Sequence, residues 1–341
     1  MAVVVVTHQS AEDLPRLANA LLRQLRTDDE LVIVDNASTD GTVETARSFL
    51  DRAVVIETGA NLGFAGGCHA GVQATRAPLL LFLNPDSQPQ PRCLEWLRQA
   101  ATKHPDWAAW QAAVLMDDER VNTSGGVIHY LGIGWAGDCG CPVAMLPTHD
   151  REIAFPSGAA MVVRRNAWIA LDGMDRDCFM YGEDLDFGLR LWLTGHRVGL
   201  VPDARVIHNY EFHKGSYKWF LLERNRWRIV LSVYPLTLLA LLAPVLLMAE
   251  LGLLAVAAHQ GWLLSKLRAQ AAVIRGLPRT LARRRVVQRT RHISVEDFAA
   301  HLTSSLDNPY LQTATQQRWL PAMQSAYWAL VCRLLRVERL H

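Results

Sequence analysis

The first hundred residues alternate between short apolar runs and helical patterns, and this alternation constrains the fold more than any other feature. The apolar runs are residues 3–6, 31–34, 54–56 and 79–83. Between the first runs, residues 11–26 and 41–50 place apolar side chains at helical spacing. Short, continuously apolar strands separated by helices are typical of a parallel sheet covered on both faces. We therefore predict an α/β fold with a mostly parallel sheet and helices on both faces.

The character of the chain changes after residue 228. Residues 229–258 are almost wholly apolar, broken by Pro235, Pro244 and Glu250, and the segment is long enough to span a bilayer. Basic residues flank it on both sides, so the positive-inside tendency places both flanks in the cytoplasm. We expect a re-entrant or in-plane helical hairpin bent near Pro244, over residues 229–264, rather than a single spanning helix. A buried helical pair packed on the domain is the alternative.

A net charge of +2 hides a strong asymmetry in the C-terminal part of the chain. Residues 251–295 contain no Asp or Glu. They do contain nine basic residues: Lys266, Arg268, Arg275, Arg279, Arg283, Arg284, Arg285, Arg289 and Arg291. Such a block indicates a surface for an anionic partner, and nucleic acid is disfavoured because no recognisable module or interleaved aromatic residues accompany it. We expect an anionic membrane surface as the partner, no nucleic acid, and amphipathic helices at 295–306 and 321–337.

The cysteines and the N-terminus indicate the compartment. Six cysteines are scattered, and only Cys139 and Cys141 are close in sequence. Reduced thiols in the cytosol are the favoured interpretation, with a metal site at this pair as the alternative. The first apolar run is too short for the core of a signal peptide. We therefore expect the protein at the cytoplasmic face of the cell membrane.

Polar residues follow three of the predicted strands, at the point where each strand ends. Thr7 follows the first strand, Asp35 the second, and Asn84-Pro85-Asp86 the fourth. In an open α/β sheet, ligands bind beyond the carboxyl ends of the strands. A single Asp there is often a helix N-cap, which suits Asp40, but Asp35 comes too early for that role. We expect the Asp35 carboxylate to accept a hydrogen bond from a pyrimidine N–H.

Two further features at this edge point to phosphate and metal. The glycine-rich stretch 61–67 opens a helix, so its backbone N–H groups can approach a phosphate or ribose, although a plain turn would look the same. Asp86 supplies the charge that Mg²⁺ or Mn²⁺ requires, and Asn84 offers a neutral carbonyl oxygen. His208, after a later strand, is a candidate third ligand, although a lone His is more often structural.

Glu183 and Asp184 open a predicted helix after residues 179–182. Acidic residues are common at helix N-termini because the helix dipole favours them there. The functional alternative is a general base that removes the proton from an acceptor hydroxyl.

As a set, these motifs resemble the family-two glycosyltransferases, in particular the rhamnosyltransferase-like subgroup of bacterial cell-surface polysaccharide assembly. The motifs are V-D-N-A-S-T-D-G-T at 34–42, N-L-G-F-A-G-G at 61–67, L-N-P-D-S at 83–87, S-G-A-A-M-V-V-R-R at 157–165 and F-M-Y-G-E-D-L-D-F-G-L-R at 179–190. The resemblance implies a GT-A catalytic domain over residues 1–228, with a nucleotide-binding half (1–105) and an acceptor half (106–228). The apolar hairpin (229–264) and a basic tail (265–341) would follow.

The resemblance also implies roles for individual residues. Nucleotide binding would involve Thr7, Asp35, Asn61, Gly63, Phe64 and Asn84. Asp86 and His208 would bind the metal, and Asp184 would be the catalytic base, with Glu183 as a supporting carboxylate. Trp135, Ser157 and Gly158 would face the donor sugar and the acceptor. The sequence departs from the family pattern in two places, because Asn84 replaces the first acidic residue of the D-x-D motif and Cys68-His69 stands where relatives often carry Asn.

The expected reaction is transfer of a sugar, with rhamnose suggested by the subgroup, from a nucleotide-diphosphate donor to a hydroxyl of a saccharide or polyprenyl-linked acceptor. One in-line displacement would invert the anomeric configuration. A sugar-phosphate nucleotidyltransferase and a dinucleotide dehydrogenase are both disfavoured, because their glycine-rich loops are missing after the first strand, where Thr7-His8-Gln9-Ser10 stands. A non-catalytic, membrane-associated scaffold with a decayed site is the alternative from another class.

Overall fold

The computed structural model describes residues 1–49, 52–117, 119–208, 215–306 and 319–337. The chain forms two compact units. The first unit comprises Met1–Gly126, Ala136–Leu191 and His196–Phe212, and the second comprises Val127–Trp135, Trp192–Gly195 and His213–His341.

Strands and helices alternate from Ala2 to Leu83 in the first unit, as the sequence predicts, and several strands then follow one another between Trp107 and Arg164. The strands are β1 (Ala2–Thr7), β2 (Glu30–Asp35), β3 (Val54–Glu57), β4 (Leu79–Leu83), β5 (Ser87–Pro89), β6 (Trp107–Leu115), β7 (Val121–Thr123), β8 (Gly126–Ile128), β9 (Gly134–Ala136), β10 (Arg151–Glu152), β11 (Ala160–Arg164) and β12 (Arg197–His208). The helices are α1 (Leu14–Leu21), α2 (Thr42–Phe49), α3 (Gly63–Gln73), α4 (Cys93–Lys103), α5 (Arg165–Ala170) and α6 (Glu183–Leu193). The short pair β8 and β9, like the end of α6, extends into the second unit.

The main sheet has the order β10-β12-β6-β11-β4-β1-β2-β3. Strands β4, β1, β2 and β3 are mutually parallel, and β11 inserts antiparallel between β4 and β6. Strand β12 runs parallel to β6, and its last residues pair with β5. The predicted α/β fold is confirmed, with its wholly parallel part in the first hundred residues.

The alternating side chains of β1 explain why helices cover both faces of the sheet. Val3 and Val5 lie in a buried cluster with Leu14 and Leu17 of α1. Val6 points to the opposite face, where a Cβ atom at Gly67 of α3 would lie 2.4 Å from its Cγ1 atom. Glycine therefore lets α3 pack directly on the strand, and α3 begins at the edge where β1 and β2 end.

The described residues of the second unit form five helices. They are α7 (Gly215–Val233), α8 (Leu236–His259), α9 (Leu263–Arg289), α10 (Val295–Ala300) and α11 (Trp319–Leu335). The predicted hairpin bent near Pro244 is wrong, because α8 continues through Pro244 as one helix of 24 residues. No residue that favours a turn accompanies Pro244, so the proline costs the helix one hydrogen bond without ending it. The turn falls instead at Gly261, whose φ of +79° suits glycine.

In the described part of the chain, α8 is the one helix whose length and composition would allow it to cross a membrane, and 11% of its most apolar window is buried. The predicted helix at 295–306 is too long, since α10 ends at Ala300. The Thr303 backbone N–H donates to the Ile128 carbonyl (2.9 Å), which takes the chain out of helical geometry. The second predicted tail helix corresponds to α11, and residues 307–318 lie outside the described residues.

Candidate active site

Thr7 and Asp35 lie side by side at the end of the parallel strands. The parallel register of β1 and β2 pairs the two residues directly. Thr7 Oγ1 donates to Asp35 Oδ1 (3.2 Å), and Asp35 Oδ2 accepts from the Ser38 backbone N–H (2.9 Å). Both side chains are buried. These hydrogen bonds hold the Asp35 carboxylate in one orientation at the edge of the sheet where β1 and β2 end.

The glycine-rich loop is fixed by hydrogen bonds from both sides. Asn61 Oδ1 accepts from the Gly63 N–H (2.9 Å), and Asn36 Nδ2 donates to the Gly63 carbonyl (2.9 Å). A Cβ atom at Gly63 would lie 2.3 Å from the Phe179 carbonyl oxygen, which also accepts from the Ala65 N–H (3.2 Å). The need for glycine at position 63 therefore comes from close contact with residue 179. Sequence reasoning identified neither Asn36 nor Phe179.

Asn84, Asp86 and His208 converge at one point. His208 Nε2 lies 3.0 Å from Asp86 Oδ1 and 3.2 Å from Asn84 Nδ2. The antiparallel pairing of Ser87 with His208 brings the end of β12 to the loop that follows β4. The predicted association of His208 with the Asn84–Asp86 segment is therefore present in the fold.

The donor atoms at this point suit a hard divalent cation. The Asp86 carboxylate oxygen is a ligand for Mg²⁺ or Mn²⁺, and the His208 imidazole nitrogen suits a transition metal such as Mn²⁺ better than Mg²⁺. The Asn84 amide presents its Nδ2 atom to His208. Among the described residues, no group of three or more His, Cys, Asp or Glu side chains could hold a metal ion. A cation bound at Asp86 and His208 would therefore take most of its ligands from phosphate and water, which is the usual arrangement for Mg²⁺.

Asp184 and Glu183 occupy different environments at the start of α6. Asp184 is half-buried, and its carboxylate accepts from the backbone N–H groups of Gly158 (3.2 Å) and Leu185 (2.7 Å). Burial raises the pKa of Asp184, while these N–H groups favour its ionised form. Asp184 is therefore a held carboxylate with increased basicity.

Glu183 is only 6% exposed, and its Oε2 atom has no hydrogen-bond partner among the residues that the structure describes. Burial, and then the charge of Asp184, raise the pKa of Glu183 well above its ordinary value. The pKa of Glu183 is thus raised further than that of Asp184, so Asp184 is the carboxyl group that loses its proton first as the pH rises.

The start of α6 is positioned by a constrained turn and a buried ion pair. Phe179 and Tyr181 have φ values of +65° and +66°, which are unfavourable for residues with side chains. Asp186 pairs with Arg190 (2.7 Å) in the interior, and Arg190 also donates to the Gly173 carbonyl (2.6 Å). The strained turn is therefore held in place by the anchored helix. The sequence motif contains these residues, but no local pattern indicated their roles.

One short segment joins the acidic pair to the point where Asn84, Asp86 and His208 meet. The Ala159 carbonyl accepts from the Asn84 N–H (3.2 Å), and the preceding residue, Gly158, donates its N–H to Asp184. Consecutive Cα atoms are about 3.8 Å apart, so neighbouring residues of one backbone stretch contact both groups. The Phe64 ring packs over Gly158, where a Cβ atom would lie 2.8 Å from it. The fold thus brings the glycine-rich loop, the group of Asn84, Asp86 and His208, and the acidic pair together around residues 158–159.

The two remaining predicted residues have different outcomes. The Ser157 N–H donates to Gln111 Oε1 (2.7 Å), a buried side chain of β6 that the sequence did not single out. Ser157 therefore belongs to the same segment as Gly158. Trp135 is a half-buried residue of β9 and belongs to the second unit.

Two family models match the chain. The model of glycosyl transferase family 2 matches residues 2–138, and that of glycosyl transferase family group 2 matches residues 79–282. Among curated proteins, the N-acetylglucosaminyl-diphospho-decaprenol L-rhamnosyltransferase of Mycobacterium tuberculosis is 29% identical over 236 residues, covering 61% of this chain and 76% of the relative.

Solved structures of glycosyltransferases share the fold. GalNAc-T7 with UDP, GalNAc and Mn²⁺ aligns with a TM-score of 0.57 and 14% identity, covering 69% of this chain and 48% of that one, so this chain spans about half its length. The mannosyltransferase PcManGT from Pyrobaculum calidifontis, in complex with GDP-Man and Mn²⁺, aligns with a TM-score of 0.50 and 17% identity, covering 99% and 87% of the two chains. The predicted GT-A type fold is confirmed, and with the family models matching from residue 2 to residue 282 the chain belongs to the family 2 glycosyltransferases.

Proposed function

We propose that this glycosyltransferase moves a sugar from a nucleotide-diphosphate donor to a hydroxyl of a lipid-linked saccharide, with inversion at the anomeric carbon. The observation that carries the proposal is the contact of adjacent residues, Gly158 and Ala159, with the Asp184 carboxylate and the Asn84 loop. A base for the acceptor and a phosphate-side cation site would then face one sugar from opposite sides.

The donor would lie along the sheet edge. Asp35, held by Thr7 and Ser38, supports recognition of the nucleoside, and the loop of Asn61, Gly63 and Phe64 supports the placement of its ribose or phosphates. Asp86 and His208 would hold Mg²⁺ or Mn²⁺, and the solved relatives that contain Mn²⁺ support a divalent ion. Such a cation, when bound, neutralises the charge that develops on the leaving diphosphate.

Asp184 would act as the general base. Its carboxylate takes the proton from the acceptor hydroxyl while the oxygen attacks the anomeric carbon and the bond to the diphosphate breaks. Burial raises the pKa of Glu183 well above its ordinary value and so disfavours the ionised form that a nucleophile requires. With one ionised carboxylate on the acceptor side, a single displacement is favoured and no covalent sugar–enzyme intermediate is needed.

Similarity to the mycobacterial rhamnosyltransferase supports rhamnose as the sugar and a saccharide on a polyprenyl diphosphate as the acceptor. The apolar helix α8 and the basic helix α9 support work at an anionic membrane surface, on the cytoplasmic face where nucleotide sugars are made. A non-catalytic scaffold is not favoured, because the acidic pair and the metal-type donors are all present and assembled.

The test is transfer by the purified full chain from dTDP-rhamnose to a prenyl-diphosphate-linked N-acetylglucosamine, with Mn²⁺ or Mg²⁺, followed by mass spectrometry of the product. A rhamnosylated product of inverted anomeric configuration is expected. A panel of other nucleotide sugars identifies the donor if rhamnose is not transferred. A product that retains the donor's anomeric configuration would contradict the mechanism, and no transfer from any donor would contradict the function.

A further inference from the structure

One side of α8 packs against other residues of the second unit. Leu238, Leu242 and Leu246 are buried at intervals of four residues, and Glu250 continues the same row. Residues four apart lie on one side of a helix, so this row forms a single inward face. The helix is therefore packed against neighbouring residues along one side.

Glu250 belongs to a group of four charged residues, here called the buried ion cluster, which consists of Glu223, Arg226, Glu250 and Lys266. Lys266 is fully buried, and its Nζ atom donates to Glu223 Oε1 (2.9 Å) and Glu250 Oε2 (3.0 Å). Arg226 donates to Glu223 (2.7 Å) and also pairs with Glu250. The cluster is neutral and joins α7, α8 and α9.

This cluster opposes a spanning orientation of α8. Glu250 lies fourteen residues after the start of the helix and nine before its end, so a spanning α8 would carry Glu250 deep into the bilayer. If Glu250 left the cluster, Glu223, Arg226 and Lys266 would remain as buried charges with incomplete pairing, which is strongly unfavourable. The neutral cluster is stable only while α8 stays packed on α7 and α9.

The outer face of α8 is apolar and exposed. Leu247, Met248 and Leu251 are between 63% and 67% exposed. Glu250, which precedes Leu251 in the sequence, pairs with Arg226 and Lys266 of the buried ion cluster. Solvent exposure of such a face along a long helix indicates a partner that is itself apolar.

The neighbouring helix α9 adds a charged border. Leu264, Leu267, Ile274 and Leu281 are exposed along one side of it. Arg268 and Arg275 each follow a member of this row by one position, which places them about 100° around the helix from it. An apolar row beside a row of arginines is typical of helices that lie in the interface of an anionic bilayer.

We propose that α8 does not cross the membrane but lies in the plane of one leaflet, with Leu247, Met248 and Leu251 in the acyl region and with Arg268 and Arg275 of α9 on anionic headgroups. The proposal rests on the membrane location in the proposed function and specifies its geometry. A lipid surface fits better than a second copy of the chain, because a symmetric contact would bring rows of arginine together.

The first test measures flotation of the full chain with vesicles of phosphatidylcholine, with or without phosphatidylglycerol. Binding is expected to require the anionic lipid and to weaken at high salt. Leu247→Glu combined with Leu251→Glu should weaken binding about tenfold or more, because two inserted apolar side chains become charged. The matched control is Ile169→Glu, at a residue of the first unit that is 65% exposed, and it should bind as the wild type does. Equal binding by the double variant would overturn the proposal.

The second test measures topology in bacterial cells with C-terminal fusions to green fluorescent protein or to alkaline phosphatase. With α8 in the plane of one leaflet, both ends of the chain stay in the cytoplasm, so the fluorescent fusion is active and the phosphatase fusion is not. The reverse result shows a spanning α8 and overturns the proposal. These readouts need no sugar transfer, so a chain that binds vesicles as described but transfers no sugar would refute the proposed function alone.

Analytical sedimentation without lipid tests whether the apolar face of α8 binds a second copy of the chain instead of a membrane. A monomer is expected for both the wild type and the double variant. A stable wild-type dimer that the double variant dissociates would assign the apolar face to a second copy and overturn the proposal. If the double variant misfolds, the α9 pair Leu264→Glu and Ile274→Glu tests the same surface by the same flotation measurement.

Discussion

Replacing Asp184 with Asn is the sharpest test of the active-site assignment. The carboxylate accepts from two backbone N–H groups, at 3.2 Å from Gly158 and 2.7 Å from Leu185. An Asn side chain has one oxygen, which would keep the shorter bond to Leu185, while its NH₂ group would face the Gly158 N–H. One lost hydrogen bond costs about 1–3 kcal/mol of stability, so the variant should fold with a modestly lower Tm.

The effect on rate should be much larger than the effect on stability. Removing a general base lowers kcat by about 10²–10⁴-fold, equivalent to roughly 3–5 kcal/mol of activation free energy. Donor affinity should stay within about twofold of wild type, because the residues that we propose for donor binding, Asp35 and the loop of Asn61 and Gly63, lie on other elements. In the wild type, burial raises the pKa of Asp184, so the rate should fall in acid as the pH drops through that raised value and the base becomes protonated.

The assay is steady-state transfer with Mn²⁺ across pH, together with calorimetric titration of the nucleoside diphosphate. The matched control is Asp172→Asn, an exposed carboxylate of the same unit at φ +51°, a conformation that Asn tolerates. The control should retain wild-type turnover. An Asp184→Asn enzyme with turnover within about tenfold of wild type would refute the assignment of the base.

Three further predictions follow from buried or converging side chains. Glu183→Gln should raise the Tm relative to wild type, and the difference should grow as the pH rises above about 4.5. Wild-type Glu183 has a raised pKa in the folded state, so the stability that it contributes in acid is lost at higher pH. A Tm difference that does not vary with pH would contradict this prediction. Lys266→Met should cost about 3–5 kcal/mol in urea unfolding, because the carboxylates of Glu223 and Glu250 would keep only Arg226 of the cluster as a counter-charge. Adding Glu250→Gln should recover part of that loss, and no recovery would argue against a coupled cluster. His208→Ala should raise the Mn²⁺ concentration for half-maximal activity about 10–100-fold, whereas the control His149→Ala, at an exposed residue, should leave it unchanged. If His208→Ala and the wild type need the same Mn²⁺ concentration, His208 does not bind the metal.

Much of the catalytic fold could be predicted from local pattern. Short apolar runs between helices predicted the parallel strands, because strands buried on both faces need continuous hydrophobic side chains. The positions of Thr7, Asp35 and Asn84 just after those strands predicted a common edge, since parallel strands end together. The prediction was less successful in the C-terminal region, where Pro244 suggested a bend and the structure has a continuous helix.

Local sequence sets the strand and helix periodicity, the polar residues at the sheet edge and the acidic start of α6, because these are properties of neighbouring residues. The contacts between distant residues depend on the packing of the folded chain. The pairing of β12 with β5 brings His208 to Asn84, 124 positions earlier, and packing of three helices brings Glu250 to Lys266. The difference between Glu183 and Asp184 also comes from the tertiary structure, since burial and hydrogen bonding, rather than residue type, set which of the two pKa values is raised further.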